Sequence, residues 1–171
     1  MCYGTIPPCP AYTVEVHGDG TTTYEGQTFV LVEGQHRYHL ADEQVAALVD
    51  AFRKADYFRL QDEYHYNVTD IPTFKTSFEV GAIKKSVTDY FGVKVGMPES
   101  VENLEMAFDL LAGTAKWVRG DVETVPALKK EGWDFHSAEA QKTLERARKN
   151  GQAGVARDLL EAGVPDAAKK P

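Results

Sequence analysis

The chain has 171 residues, of which 43% are hydrophobic and 26% charged, a composition that can bury a core and excludes a disordered tail. Its formal net charge of −7 argues against a nucleic-acid backbone as the partner, because that role needs clustered Lys and Arg. No stretch reaches the roughly 18 consecutive apolar residues of a membrane-spanning helix, so we expect no span in this chain.

The chain carries two cysteines, Cys2 and Cys9, with residues 3–8 between them. They can close a small disulfide loop if the compartment is oxidising, and the alternative is two unrelated buried thiols. The first residues show neither the basic nor the apolar segment of a signal peptide. We therefore expect no signal peptide within this sequence.

The first part of the chain predicts short strands joined by tight turns. Asp19-Gly20 is a strong hairpin signal, because both residues tolerate positive φ. Alternating or continuous apolar runs on either side of such turns predict strands. We expect an antiparallel meander of four strands, over residues 11–18, 21–25, 28–33 and 36–40.

The next part predicts two helices around a hairpin. Apolar side chains recur every three or four residues over 42–56 and again over 98–112, which indicates two amphipathic helices. Residues 73–80 and 83–90 predict a β-hairpin, whereas 61–72 is polar and irregular and predicts a long loop. Strand runs next to isolated helices indicate the α+β class. We expect an antiparallel sheet of about six strands with two helices on one face.

The composition changes near residue 120, which suggests an α+β domain over residues 1–120 and a separate segment over 121–171. The segment holds helix-forming residues at repeat spacing, and it resembles an ankyrin repeat. The matching positions are Thr143, Leu144, Ala147, Gly151, Val155, Leu159, Ala162 and Gly163. The alternative is a plain helical hairpin. Because one repeat cannot bury its own face, it either packs on the first domain or the natural chain continues past Pro171.

The richest polar stretch covers residues 62–70, on the loop that we expect to be longest. One interpretation is a cation or small-ligand site built from Asp70, Asp89 and His65. The alternative is that Asp70 caps the turn before Pro72 and the other acids are solvated. Exposed tyrosines here would also suit protein recognition. The candidate binding residues are therefore Tyr64, His65, Tyr66, Asp70, Asp89 and Tyr90.

The sequence lacks the motifs that carry common chemistries: a Gly-x-Ser-x-Gly elbow, a phosphate-binding loop and His-Glu-x-x-His. His36 and His39 point to opposite faces of one predicted strand, so they cannot share a metal, and we expect both at the surface. We therefore predict no catalytic residue, no metal and no cofactor.

Several short motifs of residues 2–119 resemble a bacterial domain family without an assigned reaction, whose members open with Cys-Tyr-Gly-x-Cys-Pro-x-Tyr. The motifs are Cys2-Tyr3-Gly4, Cys9-Pro10-Ala11-Tyr12, Gly18-Asp19-Gly20, Ala55-Asp56-Tyr57-Phe58, Val68-Thr69-Asp70 and Val87-Thr88-Asp89-Tyr90. The resemblance implies an exported protein of the bacterial periplasm or cell envelope, because members commonly follow export signals. It also implies ankyrin repeats after the domain, which some members carry.

Together these observations predict a non-enzymatic protein-interaction module with a protein partner. The alternative is a small-ligand or metal-binding domain, or an enzyme, that uses the 62–70 loop and Asp89. A structural envelope protein is a third alternative.

Overall fold

The computed structural model describes residues 9–166, in which strands and helices mix in the expected α+β class. The described residues form two compact units. The first contains Gly18–Gly20 and Leu40–Ala112, and the second contains Pro10–His17, Thr21–His39 and the residues from Gly113 onward. The units are discontinuous in sequence, so they divide the chain differently from a single boundary at residue 120. That boundary stays a prediction.

The predicted six-stranded sheet is wrong, because the structure contains two sheets of three strands each. The first sheet has the order β1-β2-β3 and is antiparallel. The second has the order β4-β6-β5, with β4 parallel and β5 antiparallel to β6. The strands are β1 (Ala11–Val16), β2 (Thr21–Thr28), β3 (Gly34–His39), β4 (Glu63–His65), β5 (Phe74–Val80) and β6 (Ile83–Tyr90).

The predicted strand over residues 28–33 is also wrong. β2 continues to Thr28, and a bend follows in which Phe29 has a φ of 58°. The next residues are buried, but the N–H groups of Leu31 and Val32 donate to the carbonyls of Val118 and Trp117, at 3.0 and 2.9 Å. The backbone N–H groups of this apolar run therefore bond to the end of a helix and not to a neighbouring strand. The meander has three strands instead of four.

In the first unit, the two predicted helices and the predicted hairpin of β5 and β6 are confirmed. Helices α1 (Asp42–Lys54) and α2 (Glu99–Ala112) pack against each other, and Gln44 Nε2 donates to the Leu111 carbonyl at 2.9 Å. Short 3₁₀ helices occupy Tyr57–Arg59 and Gly92–Val95. The core of the unit consists of Phe52, Ala55, Tyr57, Tyr64, Val87, Met97, Val101 and Leu104.

In the second unit, four helices cover the β1-β2-β3 sheet: α3 (Ala115–Val118), α4 (Thr124–Lys130), α5 (Ala138–Lys149) and α6 (Ala153–Glu161). Trp117 is fully buried at the centre and stacks on Tyr24, with the ring centres 6.0 Å apart. α5 and α6 form a helical hairpin that turns at Gly151, where φ is 73°. Its assignment as an ankyrin-type repeat stays a prediction. Among residues 9–166, no helix is long and apolar enough to span a membrane.

Candidate functional site

Pairing of β4 with β6 brings four of the predicted binding residues together, on two different faces. In the parallel register Tyr64 lies opposite Asp89, and His65 lies opposite Tyr90. Successive strand residues point to opposite faces of a sheet. Tyr64 and Asp89 are accordingly buried, whereas the His65 ring stacks on Tyr90 with the ring centres 4.8 Å apart.

The 62–70 loop contains β4, and the residues that follow β4 are hydrogen-bonded to Tyr90 at the end of β6. The N–H of Tyr66 donates to the Tyr90 carbonyl at 2.9 Å, and the Tyr90 hydroxyl donates to the Val68 carbonyl at 2.8 Å. Asp70 is exposed, with a φ of 62°. Within residues 9–166 no group of three or more His, Cys, Asp or Glu side chains is placed to hold a metal ion. The structure therefore does not assemble His65, Asp70 and Asp89 into a cation site.

The buried face of this region contains two carboxyl groups, Asp89 and Glu105, whose pKa values are raised. Burial raises the pKa of Asp89, although the N–H of Gly92 donates to its Oδ1 at 2.6 Å. Burial, together with the negative charges of Asp89, Glu102 and Asp109, raises the pKa of Glu105 to about 8. Among the described residues Glu105 Oε2 has no hydrogen-bond partner. Sequence patterns gave no sign of Glu105, because it occupies an ordinary position on an amphipathic helix.

The loop and the residues after β6 carry apolar side chains that are exposed or half-buried, namely Tyr66, Phe91, Val93 and Val95, which we call the Tyr66 patch. Tyr66 is 41% exposed and packs edge-on against Phe91, with the ring centres 5.9 Å apart. The 3₁₀ helix that follows presents Val93 and Val95, which are 50% and 43% exposed. Phe91 has a φ of 56°, a strained conformation for an aromatic residue. Strained residues of this kind concentrate at functional sites.

In the second unit, the expectation that His36 lies at the surface is wrong, whereas His39 is exposed. His36 is 4% exposed, and its ring stacks on Trp117 with the ring centres 4.7 Å apart. His36 Nδ1 lies 2.8 Å from Glu131 Oε2, and Nε2 lies 3.3 Å from the Glu33 carbonyl. Strand β3 directs alternate side chains to the sheet face that the helices cover, and His36 is one of them. Its partner Glu131 is 95 positions away, so local sequence patterns could not reveal the pair.

A surface groove of about 580 Å³ borders this pair. One wall comes from β3 and the bend before it, and the other from the residues after α4. The lining residues are Glu33, Gly34, Gln35, His36, Arg37, Glu131 and Trp133. The groove combines charged side chains with the indole of Trp133.

The predicted disulfide falls partly outside the described residues. Cys9 is disulfide-bonded, whereas its predicted partner Cys2 lies outside residues 9–166. The pairing of the two therefore stays a prediction.

Comparison with known proteins gives one match. Residues 1–112 match a family described as "Domain of unknown function (DUF6438)". Neither the curated proteins nor the solved structures provided a match.

Proposed function

The chain belongs to the DUF6438 family, and we propose that it is a non-enzymatic protein-interaction module. The Tyr66 patch is the observation that carries the proposal. It lies within the family-matched residues, and it comprises two aromatic rings in contact and two exposed valines that follow them in the chain. Exposed apolar clusters rimmed by polar groups mark protein-binding surfaces. Tyrosine is enriched at such surfaces, because it combines a large rigid area with a polar tip.

The surroundings of the patch support a protein partner. Lys94 Nζ lies 5.5 Å from the centre of the Phe91 ring and places a charged group beside the patch. The Tyr66 N–H donates to the Tyr90 carbonyl and the Tyr90 hydroxyl donates to the Val68 carbonyl. These bonds hold the loop to the sheet, so little chain entropy is lost when the surface is covered. The patch is therefore preorganised for binding.

We also propose that α5 and α6 form an ankyrin-type repeat and that the protein is exported. The helical hairpin with a buried Thr143, Leu144 and Ala147 supports the repeat. The disulfide at Cys9 supports an oxidising compartment. Alkylation of unfolded, non-reduced protein from the source cells tests the second point, since two free thiols would contradict it.

Site-specific crosslinking tests the interaction module. A photoreactive benzoylphenylalanine replaces Tyr66, and the protein is irradiated in separate envelope and cytoplasmic extracts of the source cells. We expect one protein to crosslink and then to bind the purified chain in calorimetry. Tyr66→Ser with Val93→Ser should weaken that binding at least about tenfold.

The matched control changes Val80→Ser with Ile83→Ser, because these two residues are 54% and 62% exposed in the same unit but lie outside the patch. The control should bind as the unchanged chain does. Equal binding by both double variants would contradict the assignment of the Tyr66 patch. Failure to crosslink any protein in either extract would contradict the proposed module.

The alternative of a small-ligand or metal-binding domain stays a prediction, with Asp89 as its central residue. Native mass spectrometry tests it directly: an unchanged mass after incubation with divalent cations would contradict a metal-binding role.

A further inference from the structure

Among residues 9–166, strand β3 pairs with β2 alone and therefore lies at the edge of its sheet. The N–H of His17 donates to the Thr21 carbonyl at 2.9 Å, which places Thr21 in a hydrogen-bonded pair with β1. Backbone groups of an antiparallel strand point alternately to its two neighbours. The backbone groups of Thr21, Thr23 and Glu25 therefore bond to β1. The backbone groups of the residues between them bond to β3.

The register then fixes which β3 residues face outward. The β2 residues directed at β3 are Thr22, Tyr24 and Gly26, and they lie opposite Tyr38, His36 and Gly34. The backbone N–H and C=O groups of Gln35 and Arg37 consequently point away from the sheet. Within residues 9–166 these groups have no backbone partner. Two outward residues at this spacing offer donors and acceptors about 7 Å apart.

The groove borders this edge. Gln35 and Arg37 line it on one side, and Glu131 and Trp133 line it on the other. Arg37 Nη2 donates to Gln35 Oε1 at 3.3 Å, and both side chains are exposed. Across the groove Glu131 Oε1 has no hydrogen-bond partner among the described residues, and Trp133 is half-buried against Phe135. A carboxylate beside an indole suits a cationic side chain.

We propose that this groove binds an extended segment of a partner protein, which adds to β3 as a fourth strand. The alternating main-chain donors and acceptors of Gln35 and Arg37 complement another extended main chain, the principle of β-strand addition. A Lys or Arg of the added segment would lie beside Glu131 and Trp133. The site is on the second unit, and its existence does not depend on the Tyr66 patch or on the function proposed for it.

The probe is the peptide Thr-Val-Thr-Arg-Thr-Val-Thr. For anisotropy it carries fluorescein and the full chain is added to it; for hydrogen exchange and NMR it is unlabelled and added to the chain up to about 1 mM, which detects a Kd in the millimolar range. We expect an increase in fluorescence anisotropy, slowed hydrogen exchange at the Gln35 and Arg37 amides, and shifts of the Trp133 indole resonance. The same peptide with Glu in place of Arg should bind at least about fivefold more weakly, because it repels Glu131.

A pair of variants at one position isolates the main-chain contact. Arg37→Pro removes the outward N–H and leaves the β2–β3 ladder intact, because edge strands tolerate proline at such positions. Arg37→Ala removes the same side chain but keeps the N–H. We expect Arg37→Ala to bind and Arg37→Pro to lose at least about tenfold in affinity, consistent with a lost hydrogen bond and steric blockage. Both variants should give the wild-type far-ultraviolet circular dichroism spectrum.

Three outcomes would overturn the proposal. The first is the absence of slowed exchange at Gln35 and Arg37 at the highest peptide concentration. The second is equal affinity of correctly folded Arg37→Pro and Arg37→Ala. The third is sedimentation that shows a dimer for the unchanged chain and a monomer for Arg37→Pro, in which case the edge is a self-association surface.

Discussion

The guanidinium of Arg146 donates from Nε to the carbonyl of Leu31 at 2.9 Å and thereby joins α5 to the buried bend that follows β2. Its other nitrogens contact Glu33 Oε2 at 3.0 Å, Thr143 Oγ1 at 3.1 Å and the carboxylate of Glu139. The planar fork of Arg serves several acceptors at once, which Lys cannot do.

Replacing Arg146 with Met should lower the free energy of unfolding by about 2–4 kcal/mol, because the buried Leu31 carbonyl and the two carboxylates lose their donor. Arg146→Lys should recover only part of this loss. Urea denaturation followed by tryptophan fluorescence measures the change. Arg157→Gln is the control, since Arg157 is 69% exposed and its surface ion pair should contribute at most about 0.5 kcal/mol. Equal stability of Arg146→Met and the control would contradict the role of Arg146.

The pair of His36 and Glu131 should show strong coupling in a double-mutant cycle. His36→Ala leaves Glu131 with no partner for Oε2, and we expect a loss of about 1–3 kcal/mol in unfolding free energy from that group, in addition to the lost stacking on Trp117. Glu131→Ala in the His36→Ala background should then cost much less than it does alone. Additive losses, measured by denaturant unfolding of all four proteins, would show that the two side chains do not depend on each other.

The parts of the fold that local patterns encode were predictable. The periodicity of α1 and α2 and the turn between β5 and β6 each arise from neighbouring residues, so the sequence predicts them directly. The bend after β2 was not predictable, because a continuous apolar run is compatible with any buried segment. β4 has three residues and forms only through its parallel pairing with β6, which no short window reveals.

The candidate site was predictable only as a region. The polar and aromatic composition of the 62–70 loop marked the surface that carries Tyr66. It could not show that Tyr64 and Asp89 face the core, because that depends on the strand register. The contacts of His36 with Glu131 and of Arg146 with Leu31 join distant parts of the chain. Such contacts are set by tertiary packing and produce no pattern among neighbouring residues of the sequence.

A chain shortened to residues 1–112, the family-matched part, should keep the first unit and lose the order of the β1-β2-β3 sheet. Tyr24, Leu31 and Val32 of that region are buried in one cluster with Trp117 and Leu128, which the shortened chain lacks. Hydrogen exchange followed by NMR should show protected amides in β5 and β6 and rapid exchange in β2 and β3. Protection of β2 and β3 equal to that of the full chain would show that the sheet does not need the C-terminal helices.

Glu105 should make the protein less stable as the pH rises from about 4.5 to 8. Its pKa is raised to about 8 in the folded chain, so across this range the folded state keeps a proton that the unfolded state releases. The free energy of unfolding therefore falls, by up to about 1.4 kcal/mol per pH unit for one such group. The effect is absent below the unfolded pKa and complete above pH 8.

Glu105→Gln should flatten this dependence, because the amide does not titrate, and the variant should be more stable than the unchanged chain at pH 8. Denaturant unfolding at pH 4.5, 6 and 8 measures the difference between the two proteins at each pH, which cancels the other titrating groups. Glu99→Gln is the control, because Glu99 lies exposed in the first turn of the same helix. A stability difference between wild type and Glu105→Gln that is constant from pH 4.5 to 8 would show that Glu105 ionises normally in the folded protein.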